Sequence, residues 1–310
     1  MSTTSLYALC VLIWGTTWYA ITAQIGAIAP EYGVAVRFAL AALLLFGWCS
    51  WRRLPMRFPP RLHALFALQG LTGFCLSYIG IYHAERFIVS GVVAVGYAAS
   101  PLVGLVTARL FLGTPMSRRV AAGGAMGLAG VALIFRHEFA RLGASDGVLL
   151  GAALTAAAVL LSNAASIAAV RYQRQGVSGW PPLAWAMAWG AAGSAVVGGL
   201  GGASTQVLWS VPFVASLAYL AVAGSVATFG AFYTLVHRIG PAKAGYIGVV
   251  TPVVALAVSS LLEGFVWTGE TAAGVVLALA GNGVAMWQPR GRVPGGGTGL
   301  AAPAASPSDR

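Results

Sequence analysis

The chain has 310 residues, of which 58% are hydrophobic and 8% are charged, and its mean hydropathy is +0.82. A soluble domain carries about 25% charged residues, because its surface helices need polar faces. This composition therefore excludes a soluble enzyme, a secreted disulfide scaffold and a disordered chain, and it indicates a polytopic membrane protein. The net charge of +11 is then expected in cytoplasmic loops, not in a nucleic-acid interface.

Apolar stretches long enough to cross a bilayer recur along the whole chain. A hydrocarbon core about 30 Å thick needs about 20 apolar residues per helix. The sequence predicts an all-α integral membrane fold with ten transmembrane helices, over 5–25, 32–51, 62–83, 87–112, 118–135, 147–170, 181–203, 212–237, 242–262 and 267–288. The Gly-, Pro-, Ala- and Ser-rich residues 289–310 are predicted to form a disordered cytoplasmic tail.

The charges of the loops predict the orientation of the helices. With the N-terminus inside, fourteen Lys and Arg residues fall on the inner side, three fall on the outer side, and Arg37 lies within a span. Six of the seven carboxylates, Glu85 and Glu263 among them, fall on the outer side. Because Lys and Arg concentrate in cytoplasmic loops, both termini are predicted to be cytoplasmic.

The two halves of the sequence repeat at an offset of 151 residues. Pro101–Gly130 aligns with Pro252–Gly281 without a gap, with eleven identities in thirty positions. Five spans per half is an odd number, so the second half is predicted to be inverted in the membrane. We divide the chain into a first five-helix repeat at 1–140 and a second, inverted repeat at 141–288. Two such halves favour transport by alternating access.

The same offset relates two pairs of aromatic residues. Tyr78 and Tyr82 in the third span correspond to Phe229 and Tyr233 in the eighth, and each pair shares one helical face. We interpret the pairs as outer and inner gates of a central cavity. Simple packing, or an interfacial belt of aromatic rings, is the alternative.

Further candidate residues lie deep within the predicted spans. Trp14, Trp18 and Tyr97 are too deep for an interfacial belt, so they either line the cavity or pack in the core. Pro101 and Pro252 lie within spans four and nine, where proline interrupts the helical hydrogen bonds. They are predicted to be hinges, with a static kink as the alternative.

Few polar side chains lie within the spans. Arg37 is a candidate for solute binding or coupling, although its depth also allows the side chain to reach the interface. Asn163 is a candidate site residue or an interhelical hydrogen-bonding group. No carboxylate is placed well inside a span, which leaves His83 and His237 as the residues near span ends that could carry a proton with a pKa near neutrality. Facilitated export down a gradient is therefore an alternative to proton coupling.

These features resemble the drug/metabolite transporter superfamily, in its EamA-type ten-helix branch. The resemblance covers residues 5–288 and rests on Trp14-Gly15-Thr16-Thr17-Trp18, on Arg37-Phe38 after Pro30, and on the pattern Pro101, Leu112-Gly113, Gly123 and Gly130. The chain departs from the family where a Gly-Glu pair often closes spans four and nine, since it has Gly113-Thr114 in the first copy and the reversed Glu263-Gly264 in the second. The resemblance implies a bacterial inner-membrane exporter, and the aromatic residues are similar to those of the aromatic amino-acid exporter branch (YddG-like).

The expected function is export of small amphipathic metabolites, with aromatic or bulky apolar amino acids as the best match. Export of another metabolite or drug, such as a purine, a sugar-derived compound or an organic cation, is an alternative, as is a passive channel. An enzyme is not expected, because no His-rich motif or acidic pair lies within a span. The expected partners are the small-molecule substrate and the lipid bilayer, without nucleic acid, cofactor or metal, for a chain acting as a monomer.

Overall fold

The computed structural model describes residues 1–113, 118–142, 146–245 and 247–286, and the regular secondary structure in these ranges is helical. The helices are α1 (Thr3–Thr22), α2 (Pro30–Trp51), α3 (Pro60–Gln69), α4 (Ser77–Ala84), α5 (Ser90–Tyr97), α6 (Ser100–Leu112), α7 (Arg118–Leu142), α8 (Asp146–Gln173), α9 (Trp180–Leu200), α10 (Val211–Ala218), α11 (Thr228–Gly245), α12 (Ile247–Leu262) and α13 (Gly269–Met286). The predicted tail at 289–310 lies outside the described residues.

Seven of the described helical segments are long and apolar enough to cross a membrane. They are Thr3–Thr22, Pro30–Trp51, Pro60–Ala84, Ser90–Phe111, Gly147–Gln173, Trp180–Leu200 and Val211–Val236. These segments confirm seven of the predicted spans. The shorter apolar helices Ala121–Arg136 and Ile247–Leu262 coincide with two more. The total of ten spans, which also requires α13, stays a prediction.

The outward surface of these helices is apolar. Leu110, Leu200 and Leu261 are each more than 70% exposed. Exposing such side chains to water costs free energy in proportion to their area, whereas a hydrocarbon environment accepts them. The apolar exterior therefore fits a bilayer.

Three of the long segments are not regular α-helices throughout. A π-helical stretch, Gly70–Leu76, joins α3 to α4, and a second one, Tyr219–Ala227, joins α10 to α11. The segment Ser90–Phe111 is interrupted between α5 and α6. Pro101 is the second residue of α6. The first N–H groups of a helix have no acceptor within the helix, so proline breaks no helical hydrogen bond there. Pro252 lies inside α12.

Helices α7 and α13 pack closely through glycines. A Cβ atom built on Gly130 would lie 2.5 Å from the carbonyl oxygen of Gly274, and one on Gly123 would lie 2.5 Å from that of Gly281. Backbones can approach this closely only where no side chain intervenes. The residue numbers of the contacts rise along α7, from Gly123 to Gly130, and fall along α13, from Gly281 to Gly274. The two helices are therefore antiparallel.

Helices α2 and α9 form a second antiparallel pair. A Cβ atom on Gly198, near the end of α9, would lie 3.1 Å from Cβ of Glu31, near the start of α2. At the opposite end, the ring centroids of Trp48 and Trp180 are 6.4 Å apart. Helix α1 packs on α11 and α12, whereas α8 packs on α3, α4, α5 and α6.

Contacts between connecting segments define two ends of the helical bundle. At one end the N–H of Leu208 donates to the carbonyl oxygen of Ala27 at 2.8 Å. We call this the acidic end, because Glu31, Glu85 and Glu263 lie at the termini of the helices that meet there. The acidic end thus gathers carboxylates that are far apart in the sequence.

The opposite end holds the N-terminus. Arg238 Nη1 donates to the carbonyl oxygen of Met1 at 3.0 Å, and Trp185 Nε1 donates to that of Met56 at 3.0 Å. We call this the basic end, because the Arg-rich segment after α2 and the end of α11 lie there.

Candidate functional site

Arg37 is a buried cation on α2. Only 2% of the residue is exposed. Its Nε donates to Ser225 Oγ at 3.4 Å, but its Nη1 is buried without a hydrogen-bond partner. Among the described residues, Arg37 forms no ion pair. Leaving a buried charge without a counter-charge is costly, so this position favours an anion that accepts a hydrogen bond from the guanidinium.

A continuous series of aromatic rings leads away from Arg37. The guanidinium carbon lies 4.7 Å from the centroid of Tyr78 and 5.1 Å from that of Phe38. Successive centroid distances are 4.8 Å (Tyr78–Phe38), 5.0 Å (Phe38–Phe74), 5.9 Å (Phe74–Phe229), 5.4 Å (Phe229–Trp14), 5.5 Å (Trp14–Phe232) and 6.3 Å (Phe232–Tyr233). We call these seven residues the aromatic series. Edge-to-face contacts at such distances are favourable for aromatic rings.

The four residues predicted to form gates do not all join the aromatic series. Tyr78, Phe229 and Tyr233 belong to it. In the described part of the chain, Tyr82 has no ring contact with these residues, and its hydroxyl donates to Gln24 Oε1 at 3.3 Å. The rings that connect the predicted outer and inner pairs were missed from sequence. Phe74, one helical turn before Tyr78, is the clearest of them, and that spacing could have identified it.

The second π-helical stretch supplies polar groups beside Arg37. A π-helical turn displaces backbone carbonyls from the α-helical pattern. The carbonyl oxygen of Gly224 accepts a hydrogen bond from Trp14 Nε1 at 3.2 Å, and Ser225 Oγ donates to the carbonyl of Leu220 at 2.9 Å. Ser225 is thereby oriented to accept the hydrogen bond from Arg37.

Tyr97, Trp18 and Asn163 lie near the interruption between α5 and α6. The ring of Tyr97 is 5.1 Å from that of Trp18, and its hydroxyl lies 2.6 Å from Ser77 Oγ. Asn163 Nδ2 donates to Ser100 Oγ at 3.1 Å and to the carbonyl of Val159 at 2.8 Å. These bonds give Asn163 an interhelical role and do not lead to Arg37.

Two carboxylates at the acidic end form a cluster that sequence analysis missed. Glu85, expected in an outer loop, is only 8% exposed, and neither carboxylate oxygen has a hydrogen-bond partner. Glu263 accepts hydrogen bonds from the Ser90 N–H at 3.3 Å, from Ser90 Oγ at 2.5 Å, and from the hydroxyl of Ser259. The Gly91 N–H donates to Ser259 Oγ at 2.9 Å. We call these contacts, which join the start of α5 to the end of α12, the Glu263 latch.

Glu85 follows the span Pro60–Ala84, as the sequence predicted, but its burial was not foreseen. Burial raises the pKa of its carboxyl well above the usual range. The charge of Glu263 raises it further, and the charge of Arg37 opposes the shift. Of the two histidines considered from sequence, His83 lies with Nε2 2.8 Å from Glu31 Oε1. The side chain of His237 lies outside the described residues.

An apolar crevice of about 510 Å³ lies elsewhere, between α5, α6, α7 and α8. Its lining includes Ala99, Val131, Phe135 and Val159, with Thr155 as its polar member. The hydroxyl of Thr155 is already bonded to the carbonyl of Gly151 at 2.8 Å. None of the predicted site residues lines the crevice, and it offers no free polar group to orient an amphipathic solute. The candidate solute site is therefore at Arg37.

Across the described ranges, no group of three or more His, Cys, Asp or Glu side chains is arranged to hold a metal ion. Cys10, Cys49 and Cys75 are free and buried, where each packs as a small apolar side chain.

Comparisons with known proteins identify relatives of the chain. Residues 2–136 match the model of the EamA-like transporter family. The chain is 30% identical over 114 residues to protein PagO of Salmonella typhimurium, and the match spans 36% of this chain and 37% of PagO. It is 29% identical over 266 residues to the uncharacterized inner membrane transporter YedA of Escherichia coli K12, spanning 84% of this chain and 82% of YedA.

A solved crystal structure shares the fold. It is 20% identical to this chain, covers 92% of it and 96% of its own length, and gives a TM-score of 0.66. The EamA resemblance is thus confirmed for residues 2–136, and a relative that spans most of the chain is an inner membrane transporter. Membership of the aromatic amino-acid branch stays a prediction.

Proposed function

We propose that this protein is an inner-membrane exporter of small amphipathic solutes that carry a carboxylate, best matched by aromatic or bulky apolar amino acids. Transport proceeds by alternating access between the inverted halves 1–140 and 141–288. The observation that carries the proposal is the buried Arg37 guanidinium, with one unpartnered nitrogen, at the start of the aromatic series.

The helix boundaries support two equivalent halves. Helices α1 and α8 end at Thr22 and Gln173, α3 and α10 begin at Pro60 and Val211, and α7 and α13 begin at Arg118 and Gly269. Each of these pairs differs by 151 residues, which is the offset of the sequence repeat. Gly113 and Gly264 are also related by this offset, and both have φ of 69°, a left-handed conformation that glycine adopts without strain.

The antiparallel helix pairs support the inversion of one half. Under the offset, α2 corresponds to α9 and α7 to α13. Equivalent helices that run antiparallel are related by a two-fold axis perpendicular to them, which lies in the plane of the membrane. The contact between Gly123 and Gly281 is the symmetry counterpart of the one between Gly130 and Gly274, as an isologous interface requires.

The two ends of the bundle support alternating access. At the acidic end the Glu263 latch joins α5, from the first half, to α12, from the second. Towards the basic end, α6 packs mainly on α8. We infer that the structure is the state closed at the acidic end, and that the basic end, which faces the cytoplasm under the positive-inside rule, admits the solute.

The chemistry around Arg37 supports the solute class. A guanidinium in a protein interior binds a carboxylate through charge-assisted hydrogen bonds. Aromatic rings that follow it offer a flat apolar surface for the rest of the solute. An α-amino acid with an aromatic or bulky apolar side chain satisfies both requirements. A purine or an organic cation lacks the carboxylate that Arg37 would bind.

Counterflow in proteoliposomes tests this proposal. Vesicles loaded with unlabelled phenylalanine, tryptophan or leucine should take up the labelled amino acid transiently above its external concentration. A channel cannot exchange labelled for unlabelled solute in this way, so uptake without a transient excess would favour the channel. The amines that correspond to these amino acids lack the carboxylate and should not compete.

The matched variants are Arg37→Gln and Arg37→Lys. Removing a buried charge partner costs about 2–5 kcal/mol, so R37Q should lower the apparent affinity by about 30-fold or more. R37K retains the charge but not the forked geometry and should keep part of the activity. Equal affinity for amino acids and their amines in the native protein would contradict the assignment of Arg37.

A further inference from the structure

Glu85 is a buried carboxyl group that transport through Arg37 does not by itself require. It follows directly on the last residue of α4, so its carboxyl faces the negative end of that helix. Both oxygens are buried without hydrogen-bond partners. An ionised carboxylate at such a position keeps its full desolvation cost, whereas the protonated group avoids most of it.

Glu263 has the opposite environment. Its carboxylate accepts the N–H of the first residue of α5, at the positive end of that helix, together with two serine hydroxyls. Glu85 has none of these donors. A carboxyl group without donors therefore lies close to one that accepts three hydrogen bonds, and the charge of Glu263 adds to the cost of ionising Glu85.

Among the residues that the structure describes, few other charged or titratable groups lie around Glu85. On α2, Arg37 favours an ionised Glu85, and at the end of α12 Glu263 disfavours it. On α4, the hydroxyl of Tyr82 is bonded to Gln24. On the same turn, His83 is paired with Glu31, and Arg86 is exposed. The distant attraction to Arg37 does not replace the hydrogen bonds that Glu85 lacks.

We propose that Glu85 is a proton-binding site, protonated while the Glu263 latch is closed and deprotonated when the acidic end opens to water. The proton passes between the Glu85 carboxyl group and water at the acidic end. Deprotonation in the closed state would place the charge of buried Glu85 close to that of half-buried Glu263, and the repulsion separates α5 from α12. This proposal extends the proposed transport cycle, in which it makes closure of the acidic end depend on pH.

The direction of the pH dependence follows from linkage. In the closed state the pKa of Glu85 lies well above its usual range, whereas in the open state water restores a value near about 4.3. Between these two values the closed state binds one more proton than the open state. The ratio of closed to open protein should therefore fall about tenfold for each unit of rising pH within this window. Above and below the window the ratio should be constant.

The test measures this ratio on the full chain without any solute. Nitroxide labels are attached to cysteines introduced by Leu149→Cys on α8 and Leu261→Cys on α12, which are 51% and 83% exposed near the acidic end. The native cysteines are buried, so labelling addresses the introduced ones. Double electron–electron resonance in nanodiscs from pH 4.5 to pH 9 then gives the distribution of distances between the two helices.

In the native background the long-distance population should grow as the pH rises. Glu85→Gln, which resembles the protonated carboxyl, should hold the short distance at every pH, and Glu85→Asp should retain a pH dependence with a different midpoint. The matched control is Glu31→Gln, which removes the carboxylate beside His83 and should leave the native profile unchanged. If Glu85→Gln fails to fold, the pH profiles of Glu85→Asp and Glu31→Gln are compared instead: the midpoint should change in Glu85→Asp and stay unchanged in Glu31→Gln.

Several results would overturn the proposal. The first two are a distance distribution that does not change with pH, and a pH dependence that persists in Glu85→Gln. The others are a pH dependence that disappears in Glu31→Gln, and a long-distance population that changes with Na⁺ at constant pH. Counterflow is measured separately. A native pH profile without counterflow would retain the proton site and remove the transport proposal, whereas counterflow with a flat profile would do the reverse.

Discussion

The two ends of the bundle offer different chemistry for closing the same kind of contact. At the acidic end, the start of α5 and the end of α12 are joined by Ser90, Ser259 and Glu263. At the 151-residue offset, the corresponding positions are Pro241, Ala108 and Leu112. None of these three residues has a hydroxyl or carboxyl group, and proline has no N–H to donate.

This difference shows that two halves of similar fold can have different hydrogen-bonding groups at corresponding positions. Closure of the acidic end depends on charge-assisted hydrogen bonds, and the neighbouring Glu85 corresponds to Val236 in the other half. A contact without titratable groups at the basic end would be insensitive to pH. In the transport cycle that we propose, the internal repeat provides the exchange of conformations, and the substituted positions make that exchange respond to conditions on one side.

The orientation of the two ends is the prediction with the largest effect, because its outcome is all or none. The segment after α9 should face the outside together with the acidic end, since Leu208 is bonded to Ala27 there. Ser204→Cys in intact cells should react with a membrane-impermeant maleimide. Labelling of this cysteine only after the cytoplasmic side is exposed would reverse the assignment of both ends.

The Glu263 latch gives the next largest expected effect. Hydrogen bonds to charged groups contribute about 1.5–3 kcal/mol, so Glu263→Gln should lower the closed-to-open ratio at the acidic end by about 10- to 100-fold. The rate of maleimide modification of a cysteine introduced by Val92→Cys, buried at the α5–α12 contact, measures the open fraction. An unchanged rate would show that these hydrogen bonds do not hold the acidic end closed.

Equivalence of the two halves predicts equal effects at two glycines. In both Gly130→Ala and Gly274→Ala the new methyl group would meet backbone of the facing helix, at 2.5 Å and 2.8 Å. Each substitution should lower the free energy of unfolding by about 1–3 kcal/mol. The two variants should therefore show similar decreases in the thermal unfolding temperature in detergent. Gly283→Ala, with open space around its Cβ, is the control. Markedly unequal losses would weaken the symmetric comparison.

The aromatic pairs provide the smallest expected effect. Aromatic contacts contribute about 0.5–1.5 kcal/mol each, a shift of a few-fold in the conformational equilibrium. Replacing Tyr78 and Tyr82 by alanine should favour opening at the acidic end, and replacing Phe229 and Tyr233 should favour opening at the basic end. Accessibility from each side measures both shifts. If the two double variants shift towards the same end, the rings serve packing and not gating.

Sequence reasoning performed unevenly across the candidate site. It selected Arg37 and four members of the aromatic series, because a charge or an aromatic ring deep inside an apolar span can be recognised in the sequence. It missed the other three, since which rings meet depends on how the helices pack. These three are Phe38, Phe74 and Phe232. It also grouped Tyr82 with Tyr78 by spacing, although Gln24 holds Tyr82 apart from the series.

The sequence by itself determined the membrane class, the position of most helices and the 151-residue offset. Hydrocarbon requires continuous apolar helices, and a duplicated sequence retains its register, so both signals are local or periodic. Only the tertiary structure decided that Glu85, in a connecting segment between two spans, is buried beside Glu263. Burial of a single side chain depends on which distant helices cover it, and those helices lie more than 150 residues away along the chain.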